Sequence, residues 1–170
     1  TVRGLLGGHS GMDIDKGRGN ANKIMTRIYY HLMSLMDVRL VGFDGGSLRN
    51  AIPREASILV AIEKDQMAYL IAEYNKVCES LKEENKTNEP QLVFGSEQTG
   101  LPAKAVSSTD ALKIIQVLYG VHNGVYRMSP EIPGLVEAFT SLARVIVADG
   151  KFITQSLQRS SLRGNNEEPT

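Results

Sequence analysis

Residues 134–160 read GLVEAFTSLARVIVADGKFITQSLQRS, and this stretch decides the class of fold. Two runs rich in strand-forming residues flank Asp149-Gly150, and Asp-Gly is a pair that tight two-residue hairpin turns prefer. Taken alone, residues 134–144 also fit a helix, but the hairpin is the favoured interpretation. Two long strands joined by a tight turn predict an antiparallel sheet.

Helices and shorter strands are predicted in the rest of the chain. Apolar residues spaced by three and four predict helices at residues 20–36, 64–81 and 108–119, with Asn20 and Asp65 as N-caps of the first two. Alternating or β-branched runs predict strands at residues 38–43, 55–63, 91–94 and 123–128. The predicted fold is α+β, a two-layer sandwich in which helices pack on one face of an antiparallel sheet. Two related halves are left open as an alternative.

Composition excludes several classes of function. The 170 residues are 42% hydrophobic, and 19 Lys and Arg balance 19 Asp and Glu, so the charge pattern does not favour nucleic acid or an anionic membrane as a partner. A single cysteine, Cys78, excludes an internal disulfide and a multi-cysteine zinc site. No apolar run is long enough to span a bilayer, and together these features predict a cytoplasmic protein.

A glycine-rich segment, GLLGGHSGMDIDKGRGNANK at residues 4–23, precedes the first helix. Its glycines match neither the phosphate-binding loop of NTPases nor the dinucleotide fingerprint, so a nucleotide site is not predicted. What remains is His9 in GGHSG, a histidine that small neighbours leave accessible. The alternative is a loop histidine that only caps a turn with Ser10.

Metal and nucleophile signals are weak in this sequence. None of the three histidines, His9, His31 and His122, has another histidine or cysteine at ligand spacing, so no metal site is predicted. Ser10 does not lie in a G-x-S-x-G elbow, and Cys78 falls on the apolar face of its helix. The sequence therefore offers one candidate functional histidine, His9, without a complete catalytic set.

Three segments resemble the lid domain of the aminoacyl-histidine dipeptidase family of co-catalytic zinc peptidases. They are residues 4–23, GGSLRNAIPREA at 45–56 and LQRSS at 157–161. The resemblance implies two zinc ions in the intact enzyme, held by a catalytic domain absent from this sequence, and no metal in these residues. It implies a lid or dimerisation domain over residues 1–163 and a return to the catalytic domain at 164–170. The polar segment at residues 82–90 is expected to run over the surface, and a subdivision of the domain near 85–90 is left open.

The same resemblance implies roles for His9 and Asn50. His9 matches a lid histidine that stabilises the oxyanion of the tetrahedral intermediate. Asn50 matches the asparagine of N-x-I-P, whose amide donates to the substrate; the alternative is a turn asparagine bonded to local backbone. The sequence departs from the family at Asp15, where histidine is common, so a second histidine role is not implied.

A third role, binding the free carboxylate of a dipeptide, is implied for Arg159. A planar guanidinium suits bidentate binding of a carboxylate. The alternative is a surface arginine at the end of a strand. Arg49, Arg54 and Arg127 are rivals for this carboxylate, with Arg127 the strongest.

Two functions remain after the sequence is read. The first is a substrate-closing lid of a dinuclear zinc dipeptidase that hydrolyses Xaa-His dipeptides. Its expected partners are its own catalytic domain, the dipeptide substrate and a second copy of the chain. The fragment alone is expected to be inactive. The second is a non-catalytic α+β dimerisation module, since an exposed sheet edge invites pairing. Closure within one subunit and closure across a dimer both remain open.

Overall fold

The computed structural model describes residues 1–161. The last two residues of the predicted 1–163 domain and the expected return to a catalytic domain at 164–170 lie outside the described residues. The long helices are α2 (Ala21–Leu35), α3 (Met67–Asn85) and α4 (Ser108–Gly120), and a short helix α1 covers Ser10–Asp13. The strands are β1 (Val2–Arg3), β2 (Gly8–His9), β3 (Arg39–Gly45), β4 (Ala51–Ile52), β5 (Ala56–Ala61), β6 (Val93–Phe94), β7 (Gly124–Met128), β8 (Val136–Ala148) and β9 (Lys151–Ser160).

Seven strands form one antiparallel sheet, in which six follow the order β6-β1-β5-β3-β8-β7. β3 and β7 pair with different ends of β8, and the seventh strand, β9, pairs with β8 along its length. The predicted hairpin is confirmed: β8 and β9 pair along their length, and Asp149 (φ 52°) and Gly150 (φ 72°) form the turn between them. Both positive φ angles are those that a tight hairpin turn needs. The predicted α+β class is therefore confirmed.

The helices α2, α3 and α4 contribute their buried apolar residues to one core with this sheet, and α3 packs on α2. Asn20 caps α2 as predicted, since its side-chain oxygen accepts from the N–H groups of Asn22 and Lys23. The predicted cap at Asp65 is wrong: the chain enters α3 through a 3-10 turn at Lys64–Gln66, which places Asp65 inside the turn. Tyr29 lies at the centre of the core, where burial raises its pKa to about 12.

The segment at residues 82–90 does not run over the surface throughout. Helix α3 continues to Asn85, and Glu89 is only 2% exposed. Its carboxylate accepts from the backbone N–H of Leu6 at 2.6 Å and from that of Gly19 at 2.7 Å. One side chain thus closes the neck of the loop at residues 6–19, called here the glycine loop, and turns it into a compact Ω-type loop.

Replacing Glu89 by Gln should destabilise the domain. The amide keeps one oxygen as an acceptor but presents an NH₂ group to a backbone N–H, so one buried donor loses its partner. We expect a loss of about 1–3 kcal/mol in urea unfolding, with faster hydrogen exchange at Leu6 and Gly19. Glu79→Gln, on the exposed face of α3, is the matched control and should change stability by less than about 0.5 kcal/mol. Equal stabilities of the two variants would contradict the role of Glu89.

Candidate active site

The glycine loop presents His9 on a short two-stranded ladder. β2 pairs with β4 so that His9 faces Ala51. Ser10, fully buried at the next position, donates to the carbonyl of Asn50 from its backbone N–H at 2.9 Å and from its hydroxyl at 3.1 Å. The segment that carries Asn50 is therefore fixed directly beside His9.

A small apolar cluster separate from the main core supports the loop. Ile14 of the loop, Ile52 of β4 and Phe139 of β8 are buried together. Arg159 on β9 pairs with Phe139, and side chains of directly paired residues lie on the same face of a sheet. The cluster thus brings the distal end of the β8–β9 hairpin under the glycine loop, with Arg159 beside it.

His9 and Arg159 converge on Gly11. A Cβ atom at Gly11 would lie 3.3 Å from His9 Cε1, 3.4 Å from His9 Nδ1 and 3.7 Å from Arg159 Nη1. Both side chains therefore border the same small volume, which a larger residue at position 11 would fill. Arg159 is exposed, and its guanidinium has no ion pair or hydrogen bond within residues 1–161.

The imidazole of His9 has a defined hydrogen-bond polarity. Its Nδ1 accepts from the backbone N–H of Gly11 at 3.1 Å, which also makes His9 the N-cap of α1. A neutral imidazole carries one hydrogen, and an accepting Nδ1 leaves that hydrogen on Nε2. The ring can therefore donate from Nε2.

Asn50 is exposed, and within the described part of the chain its side-chain amide makes no hydrogen bond. The local backbone bonds at this position use its carbonyl, which accepts from Ser10. The amide is therefore free to donate to a bound molecule. The structure places the three residues singled out from the sequence, His9, Asn50 and Arg159, around one end of the domain.

The rival arginines differ in their surroundings. Arg127 lies against the carboxylate of Glu137, with which it forms an ion pair, so its charge is already compensated. Arg54 lays its side chain against Gly7, and among the described residues neither Arg54 nor Arg49 has an ion-pair partner. The pairing of Arg127 makes it a weaker candidate for a substrate carboxylate than Arg159.

Two further residues of the loop, Asp13 and Arg18, hold the backbone around His9. Asp13 Oδ2 accepts from the N–H of His9 at 2.8 Å, and Arg18 Nη1 donates to the carbonyl of Gly7 at 2.5 Å. The Lys16 ammonium and the His9 N–H hold the pKa of the Asp13 carboxyl below its usual range, so it is ionised at neutral pH. Sequence reasoning missed both residues. The available signal was a carboxylate four residues after a helix N-cap, close to capping-box spacing.

Within residues 1–161, no group of three or more His, Cys, Asp and Glu side chains lies close enough to hold a metal ion. The described residues therefore do not fit a zinc site. In the same part of the chain, no helix has the length and hydropathy needed to cross a membrane.

Comparison with known proteins identifies the family. Residues 1–86 match the family described as "Peptidase dimerisation domain". The chain is 36% identical over 160 residues to the cytosol non-specific dipeptidase of Escherichia coli (strain K12), covering 94% of this chain and 33% of that protein. The crystal structure of aminoacylhistidine dipeptidase from Vibrio alginolyticus matches with a TM-score of 0.93 and 38% identity, covering 96% of this chain and 34% of that one.

The chain spans about a third of the length of these two relatives. The resemblance to aminoacyl-histidine dipeptidases drawn from the three sequence segments is confirmed, since a dipeptidase of that name shares the fold of nearly the whole chain. Because the family match covers half of its residues, the chain belongs to the peptidase dimerisation domain family.

Proposed function

We propose that this chain is the substrate-closing lid of a dinuclear zinc dipeptidase whose catalytic domain lies outside these residues. The observation that carries the proposal is the convergence of His9 and Arg159 on Gly11, beside the fixed segment of Asn50. A hydrogen-bond donor, an amide and a cation without an ion-pair partner among residues 1–161 are groups suited to binding a short peptide acid.

His9 is assigned to the oxyanion. A donor aimed at the position where negative charge develops stabilises the transition state more than the ground state. The bond from Gly11 to Nδ1 supports this role because it leaves Nε2–H as the donor and holds the ring in one orientation. Gly11, which has no side chain, leaves the space beside the imidazole open for a substrate held by another domain.

Asn50 and Arg159 are assigned to substrate binding. The free amide of Asn50 donates to the peptide, and the guanidinium of Arg159 binds the terminal carboxylate in a bidentate manner. Because Arg159 lies near Gly11, the carboxylate site is close to His9, as a dipeptide with its scissile bond next to its C-terminal residue requires. A longer peptide would place an uncharged amide opposite this cation.

Two zinc ions are proposed for the intact enzyme. Their ligands are placed outside residues 1–161, because the described residues hold no metal-binding cluster. Bound zinc would supply Lewis-acid chemistry to the reaction. The contribution assigned to this chain is to bind the substrate, orient it and donate a hydrogen bond at Nε2 of His9.

The names of the two relatives support a proposed substrate class and compartment. One is named an aminoacylhistidine dipeptidase and the other a cytosol non-specific dipeptidase. Dipeptides that include Xaa-His are accordingly the proposed substrates, and the cytoplasm is the proposed location.

Association with a second copy of the chain is the second candidate function, and the family description favours it. The two functions are compatible, since a lid can also form a dimer contact. A variant at His9, Asn50 or Arg159 distinguishes them. If it loses turnover while its molar mass in light scattering stays that of the wild type, the lid role is indicated. A dimer that dissociates in the same variant indicates the association role.

His9→Ala in the intact enzyme should lower kcat by about 10²–10³-fold with a smaller change in KM, because the lost donor acts on charge that develops in the transition state. Steady-state kinetics with an Xaa-His dipeptide would measure this. His122→Ala, at an exposed histidine packed edge-on against the ring of Tyr126, is the control and should keep wild-type kcat. A change confined to KM would assign His9 to ground-state binding instead.

Arg159→Ala should remove most of the preference of the enzyme for a dipeptide acid over its C-terminal amide. A charge-assisted hydrogen bond contributes about 1.5–3 kcal/mol, so kcat/KM for the acid should fall roughly ten- to a hundredfold. The value for the amide should change little, because the amide carries no charge opposite this arginine.

Arg127→Ala is the matched control for this measurement, since Glu137 already compensates that arginine. It should leave the preference for the acid intact. If Arg127→Ala abolished the preference while Arg159→Ala preserved it, the carboxylate site would lie at Arg127 and the assignment of Arg159 would be wrong.

A further inference from the structure

The backbone that carries His9 is held by a charged pair. Asp13 Oδ2 accepts from the His9 N–H at 2.8 Å and lies 3.3 Å from Arg18 Nη1, which donates to the Gly7 carbonyl at 2.5 Å. The two peptide groups that flank Gly8 are therefore both bonded to one carboxylate–guanidinium pair. This arrangement, Asp13 with Arg18, is called here the loop clamp.

Gly8 shows how closely the clamp encloses the backbone. Its φ of 138° lies in a region that side chains rarely adopt, and a Cβ there would overlap Arg18 Nη1 and Asp13 Oδ2. The clamp therefore occupies the space that any other residue would need. Gly8 has no side chain that could restrict rotation of its own backbone, so the clamp restricts rotation at the residue before His9.

The clamp is distinct from the contacts that anchor the loop to the domain. Glu89 closes the neck of the loop at Leu6 and Gly19, and Ile14 packs into the small apolar cluster. Asp13 also contacts Lys16, an exposed side chain at 2.6 Å, which compensates its charge. The remaining hydrogen bonds of the pair are directed to the peptide groups on either side of Gly8.

We propose that Asp13, together with Arg18, is a positioning residue for the reaction and acts through His9. The clamp fixes the two peptide groups before the imidazole, while Gly11 fixes Nδ1. Its effect is to hold Nε2 where the oxyanion forms, since a displacement of about 1 Å can reduce a rate by about 10²-fold. This inference rests on the proposed role of His9.

A double-mutant cycle in the intact enzyme tests it. Asp13→Ala should lower kcat by about ten- to a hundredfold with a much smaller change in KM. In a His9→Ala background, the same substitution should have little further effect, because no imidazole remains to be positioned. Circular dichroism and thermal unfolding show whether each variant keeps its fold.

Two variants keep the test decisive if Asp13→Ala does not fold. Asp13→Asn retains an oxygen for the His9 N–H but loses the ion pair, so it should recover part of the activity. Arg18→Met removes the bond to Gly7 and should lower kcat in the same non-additive way. Asp15→Ala is the matched control, because Asp15 is exposed and, within residues 1–161, has no hydrogen bond or ion pair.

The outcomes separate this inference from the proposed function. An unchanged kcat in His9→Ala would overturn the role of His9 and the inference with it. A clear loss in His9→Ala, with Asp13→Ala causing an equal fold-loss in both backgrounds, would overturn the inference alone. An unchanged kcat in a folded Asp13→Ala enzyme would do the same.

Discussion

The arrangement at the candidate site depends on one buried carboxylate. Glu89 lies 70 residues beyond Gly19 in the sequence, yet its two oxygens bond the backbone at both ends of the glycine loop. Five glycines in residues 6–19 would otherwise give this segment a large conformational entropy. Because the ends are fixed, the hydrogen bonds inside the loop at Asp13, Arg18 and Gly11 need to order only short stretches of chain. This explains how a glycine-rich segment holds His9 in one position.

The β8–β9 hairpin connects that loop to the main core. Near the turn, β8 pairs with β3 and contributes Val145 and Val147 to the core; at its other end it pairs with β7 and contributes Phe139 to the small cluster under the loop. Arg159 therefore sits on a paired strand rather than on a mobile connection. A strand fixes the origin of a side chain more closely than a loop, which suits the role proposed for Arg159 in binding a substrate carboxylate.

Features with local causes could be predicted from the sequence. The hairpin follows from Asp149-Gly150, and the start of α2 follows from Asn20, because in each case the deciding contacts lie within a few residues. The cap at Asp65 was wrong because a 3-10 turn competed with the helix start. The burial of Glu89 and the approach of Arg159 to Gly11 are long-range contacts that no spacing encodes. His9 was singled out by the small residues around it, and Asn50 and Arg159 by family resemblance; the roles of all three remain predictions.

Local electrostatics favours this end of the domain as an anion site even though the chain has no net charge. Lys16 and Arg18 in the loop share one carboxylate, Asp13, so this group of three side chains keeps a net positive charge. Arg127 on the adjacent sheet is compensated by Glu137. Arg159 has no such partner in the described residues, so its field is not cancelled at short range. A peptide carboxylate entering beside His9 would supply the missing counter-charge, and an uncharged terminus would leave the guanidinium without one. The proposed selectivity for short peptide acids therefore has a physical basis.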